Sequence, residues 1–391
     1  MVVVLNMPDK KIKICFISAE PNFDGGVSLY TKNIIKCIKK NKKDTEITWI
    51  YVGKKAQIYT NNGVRYIEIK SNLPYPLDQI SGNFKIYKFL KKNDFDIINS
   101  HAVWGRWMNF YKKRKYQKLV HTYHGVTYNY FKVHIKRFSI LKKILFSPMI
   151  LFGYILEKPP IKKADEIISV SQKVKNQLNE AYNCKRKINV IRTGVDLKEF
   201  KPRDKEKIRK KLNLENDKLY GLYIGKGGYW IKGLDRAIKI SEEIYKKDRN
   251  YRMIIVGADY KKIKDFIKKD FIIYLEKVDR EEIKYYYNVS DFLFYLSRYD
   301  GGAPTLVVSE AMASGCPIIF SKDSQQEIIK DKENGIIIDK FNIESSEIIM
   351  GILKDRKLKE KIIKNEIRTI KELSLEKWGE EYIKILIGDK K

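Results

Sequence analysis

The sequence predicts an α/β protein made of two doubly wound domains that face each other across a cleft. Length is the first observation behind this: 391 residues exceed one ordinary core and suit two domains. The second is rhythm, because apolar runs of strand length alternate with amphipathic helical stretches, as in a parallel sheet covered by helices on both faces. The third is that this series stops near residue 200 and then starts afresh.

The first series is KIKICFIS (11–18), ITWIYVG (47–53), VRYIEIKS (64–71), DIINSHA (96–102), KLVHTYHG (118–125), DEIISVS (165–171) and INVIRTG (188–194). The second is KLYGLYIG (218–225), RMIIVGA (252–258), FIIYLEKV (271–278), DFLFYLS (291–297) and PIIFS (317–321). Between them, in VDLKEFKPRDKEKIRKK, charge rises, apolar periodicity stops and Pro202 interrupts the chain. We therefore expect Rossmann-like domains over 1–196 and 197–372, with a C-terminal helix in 373–391 returning to the first. Ligands of such sheets bind outside the carboxyl ends of the strands, so function is read from the strand-end loops.

Composition limits what those loops can serve. With 43% hydrophobic and 32% charged residues and no low-complexity segment, the chain should be soluble and globular. Cys15, Cys37, Cys184 and Cys316 form no CxxC and are expected to be reduced and buried. The start MVVVLNMPDKKIK has no cleavage-site pattern, which predicts a cytoplasmic protein. Lys and Arg total 79 against 48 Asp and Glu, a net charge of +31 that favours nucleic acid, membrane headgroups or a phosphorylated substrate. Nucleic acid is the weakest of these, since no known binding module is present and the basic residues do not interleave with stacking aromatics. One stretch, FKVHIKRFSILKKILFSPMILFGYILEKPPIKK (131–163), mixes basic and large apolar residues and is too short to span a bilayer. It suits an anionic membrane interface, although Pro148, Pro159 and Pro160 should break its helical period; the alternative is a buried helix with a basic face.

Four loops carry chemistry. After the first strand, Gly25 and Gly26 open a helix where backbone N–H groups can approach a phosphate or sugar. After KLYGLYIG come Gly225, Lys226, Gly227, Gly228 and Lys232; Gly228 to Gly233 has P-loop spacing but continues Leu-Asp, so a Walker A site is rejected. What remains is a glycine turn with two ammonium groups suited to a diphosphate. In SRYDGGAPTLVVSEAMASG, the loop Gly301, Gly302, Ala303, Pro304, Thr305 and Leu306 offers amides and a helix N-terminus to an anion, and Glu310 on the helix suits the paired hydroxyls of a ribose. His124, before Gly125 at a strand end, suits hydrogen-bonding or acid–base work. His101, His121, His124 and His134 are crowded but have no acid or cysteine at ligand spacing, and no metal site is expected. Asp94-Phe95-Asp96 precedes its strand and so is rejected as a cation-binding DxD.

Together these segments resemble the retaining GT-B glycosyltransferases of family 4 over most of the chain. GGVSLYTKNI looks like that family's first glycine loop and VHTYHG its histidine-glycine motif; ADEIISVSQKVKNQL and INVIRTGVDLKEFKP resemble the approach to the interdomain link, with Thr193 in place of asparagine. GKGGYWIKGLDRAI resembles the phosphate-binding segment, SEAMASGCPII the donor-binding helix, and SQQEIIKDKENGIII the region after it. The resemblance implies that Lys226, where the family has arginine, and Lys232 hold the donor diphosphate, that Gly26 lies against the phosphates, that Glu310 binds ribose and that His124 contacts the transferred sugar. The family's first glutamate would fall on Gly302; Asp300 is the nearest acid and takes that place if the loop is about two residues longer. That leaves the carboxylate facing the sugar an open question, with Asp300 as candidate.

The implied reaction is metal-independent transfer of a sugar from a nucleotide diphosphate sugar, UDP by default, to a hydroxyl with retention, in polysaccharide or glycoconjugate synthesis. No cofactor is implied, and hinge closure would complete the site. The acceptor is a sugar or a lipid-linked acceptor, and if 131–163 is interfacial the enzyme is a peripheral protein of the inner membrane face. The rival readings are a nucleotide-sugar epimerase of the same fold and a basic nucleic-acid-binding protein.

Overall fold

The computed structural model describes residues 11–388 except 23, 24, 43, 75, 76 and 227. Gly227 of the second glycine turn and the apolar start before Lys11 therefore lie outside the described residues. The chain forms two compact units, Met1–Ile191 with Trp378–Lys391, and Arg192–Lys377. The division falls at 191/192 instead of 196/197. Part of the charge-rich stretch is a helix of the second unit, capped by Asp204, whose carboxylate accepts the Lys207 N–H at 3.1 Å.

In the first unit the order is β1 (Ile12–Ile17), α1 (Gly26–Asn41), β2 (Thr45–Gly53), β3 (Gln57–Asn61), β4 (Val64–Lys70), α2 (Leu77–Lys92), β5 (Ile97–His101), β6 (Lys118–Tyr123), α3 (Thr127–His134), α4 (Ile140–Phe146), α5 (Pro148–Lys163), β7 (Glu166–Ser169), α6 (Gln172–Tyr182) and β8 (Asn189–Val190). The sheet runs β3-β4-β2-β1-β5-β6-β7-β8 and is parallel except for β3, which pairs antiparallel with β4. Ile14, Cys15, Phe16 and Ile17 are fully buried, as expected of a strand covered on both faces. α5 passes through Pro159 and Pro160 without a break, so the expected interruption there does not occur.

The second unit contains α7 (Lys205–Lys211), β9 (Leu219–Ile224), α8 (Leu234–Lys247), β10 (Tyr251–Val256), α9 (Tyr260–Ile263), β11 (Ile272–Leu275), α10 (Ile283–Val289), β12 (Phe292–Tyr295), α11 (Leu306–Ser314), β13 (Ile318–Ser321), β14 (Ile336–Ile338), α12 (Ile343–Lys354) and α13 (Arg356–Lys371). Its parallel sheet runs β11-β10-β9-β12-β13-β14. Alternation along the strands feeds two cores: Leu222, Ile254 and Leu293 pack with α10 and α11, while Tyr223, Ile255 and Phe294 pack with α8 and α12.

A last helix, α14 (Leu375–Ile387), carries the chain from the second unit back into the first. There Tyr382 is fully buried, with its hydroxyl on Asn99 and Thr122. All four cysteines are free and buried, as expected.

Each strand order has one point at which successive strands change direction of travel across the sheet. In the first unit it lies between β1 and β5, and in the second between β9 and β12. Crevices outside strand ends at such points are where ligands enter open α/β sheets.

Candidate active site

In the second unit, the loops after β9 and β12 lie side by side because those strands are hydrogen-bonded neighbours. The glycine turn is folded tightly against β12. Gly233 has φ +74°, and a Cβ there would stand 2.0 Å from the Leu296 carbonyl oxygen, so only glycine lets the turn approach so closely. Arg298 locks it further: its backbone N–H donates to Ile231 at 2.8 Å, its guanidinium grips Asp235 of α8 through two bonds of 2.7 and 2.6 Å, and it lies 4.4 Å over the Trp230 ring. Lys226 and Lys232 are exposed at this edge.

The loop after β12 ends at Thr305, which caps α11, with its side chain facing the Val308 N–H. Thr305 and Leu306 are half-buried, whereas Gly302, Ala303 and Pro304 are buried. One turn into α11, Glu310 is buried, its side chain only 3% exposed. Its carboxylate takes both guanidinium arms of Arg280 and the Tyr287 hydroxyl at 3.0 Å.

At the first unit's switch point, α1 begins at Gly26 with Gly25 as its cap residue and no side-chain cap bond. Among the described residues, a Cβ on Gly26 would meet nothing within 4 Å beyond its chain neighbours and its own helix. One turn along α1, the Tyr30 ring stands edge-on to His124 at 4.6 Å, which joins the glycine loop to the end of β6.

A chain of hydrogen bonds orients His124. Asn99 Nδ2 points at the Val120 carbonyl, 3.3 Å, so its Oδ1 is the acceptor that faces Tyr382 Oη at 2.8 Å and His101 Nε2 at 3.0 Å. His101 must then donate from Nε2, and its Nδ1 accepts from His124 Nε2 at 3.0 Å. Burial holds His101 well below the usual imidazole range and His124 near about 3, so both are neutral at pH 7. Neutral His124 with a proton on Nε2 offers Nδ1 as an acceptor.

Family profiles match both units: Glycosyltransferase Family 4 over residues 24–199 and Glycosyl transferases group 1 over 204–369. The chain is a GT-B glycosyltransferase. It is 26% identical over 378 residues to an uncharacterized glycosyltransferase of Methanocaldococcus jannaschii, covering 94% of this chain and 95% of that one. Sucrose-phosphate synthase from Thermosynechococcus elongatus has the same fold, with a TM-score of 0.80 at 18% identity over 96% of this chain and 98% of that one. So has the Anabaena protein HepE in complex with UDP-glucose, with a TM-score of 0.68 at 17% identity over 96% and 99% of the two chains.

Set in this glycosyltransferase fold, most of the sequence-derived residues gather at one sheet edge in each unit: Gly25, Gly26 and His124 in the first, and Lys226, Lys232 and the 301–306 loop in the second. Two acids are already engaged by neighbouring groups. Asp300 is 4% exposed, Tyr295 donates its hydroxyl to Oδ2, and the Gly302 N–H donates to Oδ1 at 2.6 Å. Its carboxylate closes the loop on itself, as Asp does in turns, and these bonds compete with a role toward the sugar. Glu310 lies where a ribose ligand was expected, but its carboxylate is already shared by Arg280 and Tyr287. Sequence reasoning missed Arg280, Arg298 and Asp235; Arg298 stands directly after an apolar strand, a position that could have flagged it. Asp94 and Asp96 precede β5, and Asp96 accepts the Lys13 N–H at 2.8 Å. Among the described residues no helix is long and apolar enough to cross a membrane.

Proposed function

We propose that this glycosyltransferase moves a sugar from a nucleotide diphosphate sugar, UDP-linked by preference, to a hydroxyl of a sugar or lipid-linked acceptor, with retention at the anomeric carbon. The supporting observation is the junction of β9 and β12, where an exposed two-lysine glycine turn adjoins the N-terminus of α11. Ammonium groups and helix amides suit the negative charge that grows on a departing diphosphate. HepE, a relative in fold, was crystallised with UDP-glucose, which fits the same donor class.

In this reaction the bond from the anomeric carbon to the diphosphate oxygen breaks as the bond to the acceptor oxygen forms on the same face. The acceptor's proton passes to the released phosphate oxygen. Lys226, Lys232 and the amides of 301–306 bear the diphosphate charge, so no metal ion is required. Glu310 serves the ribose hydroxyls through an oxygen it shares with Arg280. Gly25 and Gly26 admit the ligand to the start of α1, and His124 Nδ1 accepts a hydrogen bond from a hydroxyl of the transferred sugar.

The test is Lys232→Ala, which should lower turnover about a hundredfold or more. Near-wild-type transfer by that variant would end the assignment. A thermal-shift screen with nucleoside diphosphates and their sugars should single out the donor, because a ligand of the folded state raises Tm. Proton NMR of the product should show the donor's anomeric configuration, and EDTA should leave the rate unchanged.

A further inference from the structure

None of the seven residues of α4 is buried. Ile140, Leu141, Ile144 and Leu145 are 78, 79, 66 and 71% exposed. At the helical rotation per residue they fill an arc of about 140°, with Lys142 and Lys143 on the rest of the surface. α5 extends the pattern: Leu151 and Ile155, one turn apart, are 60 and 40% exposed, and Lys158 and Lys162 follow on the same face. From Phe131 to Lys163 there are eight basic residues and one acid, Glu157, and that acid is buried.

Glu157 also explains why this surface is held in place. Its carboxylate accepts the Thr127 N–H at 2.8 and 2.9 Å, the Thr127 hydroxyl, and the Tyr182 hydroxyl at 2.6 Å. These bonds pin α5 to the start of α3 and to α6, so the exposed apolar residues stand on an anchored support.

We propose that α4 and the exposed face of α5 dock the chain onto an anionic lipid bilayer. The apolar arc enters the boundary between headgroups and acyl chains, and the lysines reach outward to the phosphates. Charge chooses this occupant over a second copy, which would set one wholly positive exposed surface against another. The inference deepens the proposed function only at the acceptor, by bringing the enzyme to a lipid-linked hydroxyl, and vesicle binding is read without any turnover.

Flotation of the full chain with phosphatidylcholine vesicles, with and without phosphatidylglycerol, tests it. The chain should rise with the anionic vesicles, less so at high salt. Ile144→Glu with Leu145→Glu should weaken partition at least about tenfold, with unchanged circular dichroism because both side chains are exposed. Lys142→Glu with Lys143→Glu should weaken it at low salt. The proposal is overturned if the wild type ignores anionic vesicles, or if the apolar double variant floats like the wild type, which would leave charge alone. It is also overturned if light scattering finds a dimer that this variant dissolves. A chain that floats but transfers no sugar from any nucleotide donor refutes the proposed function and leaves the docking surface standing; one that transfers but does not float does the reverse.

Discussion

At the first unit's switch point the described side chains gathered around His124 are uncharged hydrogen-bonding groups: neutral His101, Asn99, Tyr30 and Tyr382, beside a helix start without a side-chain cap. At the second unit's, they are ions: exposed Lys226 and Lys232, the Arg298–Asp235 pair and the Arg280–Glu310 pair. The two sheets share an architecture and differ in what their loops can hold. A neutral edge discriminates hydroxyl groups by hydrogen-bond direction, whereas a charged edge holds a diphosphate by field and loses far more when one ion is removed.

The largest effect should therefore come from unpairing a buried ion in the second unit. Arg280→Ala leaves the buried Glu310 carboxylate with only the Tyr287 hydroxyl among the described residues, and because the Arg280 side chain is 39% exposed, so that water can follow it, the cost in urea unfolding should be about 2–4 kcal/mol. Adding Glu310→Gln should recover most of that loss, since the amide has no charge to strand. If Arg280→Ala unfolds like the wild type, the pair contributes nothing to stability and the contrast between the units weakens.

Acid separates the units next. All four histidines lie between 101 and 134, so the second unit has none. Burial pushes His101 well down and His121 and His124 to about 3, against an unfolded value near 6.5. The stability these neutral imidazoles contribute is present above about pH 6.5 and is lost as pH falls from there toward about 3. Burial raises Glu157 to about 7, which acts oppositely: its contribution is full below the unfolded carboxylate value and is lost as pH rises to about 7. Three imidazoles against one carboxyl leave a net two protons, so stability should fall by at most about 2.8 kcal/mol per pH unit between about pH 6.5 and 4.5. Urea midpoints at pH 7 and pH 5, followed by tryptophan fluorescence, measure this, since Trp49, Trp104, Trp107 and Trp378 all belong to the first unit. An equal or higher midpoint at pH 5 would mean that the imidazoles are already charged in the folded state. In the second unit Asp291, paired with Lys205 and Arg209, is held below the usual carboxylate range despite its burial, so its contribution fails only at lower pH.

Strands buried on both faces were legible in the sequence because burial writes itself as an unbroken apolar run. β3, an exposed edge strand with the polar sequence QIYTN, left no such run; only the Asn62-Gly63 turn marks its hairpin with β4. β14 is three residues long, and the expected strand INVIRTG shrinks to Asn189–Val190, both too short for periodicity to speak. In the site, the loops and their lysines were legible because glycine turns are local. The engagement of the acids was not, because Arg280 reaches Glu310 across 30 residues and Arg298 reaches Asp235 across 63, and only packing brings them together. Asp300 was the intermediate case: its bond to the Gly302 N–H is a two-residue turn that sequence could have suggested, and it competes with any role toward a sugar.

The smallest structural effect, and the sharpest functional one for the neutral edge, belongs to Gly26→Ala. Among the described residues the added methyl would meet nothing within 4 Å beyond its chain neighbours and its own helix, and alanine is a better helix former than glycine. Stability should stay the same or rise by less than about 1 kcal/mol, as read by Tm. If a ligand approaches the open start of α1, the methyl takes its place, and KM for that ligand should rise while the fold is untouched. The result that sinks this reading is an alanine variant with unchanged stability and unchanged kinetics for donor and acceptor alike, since no ligand would then approach the start of α1 during turnover.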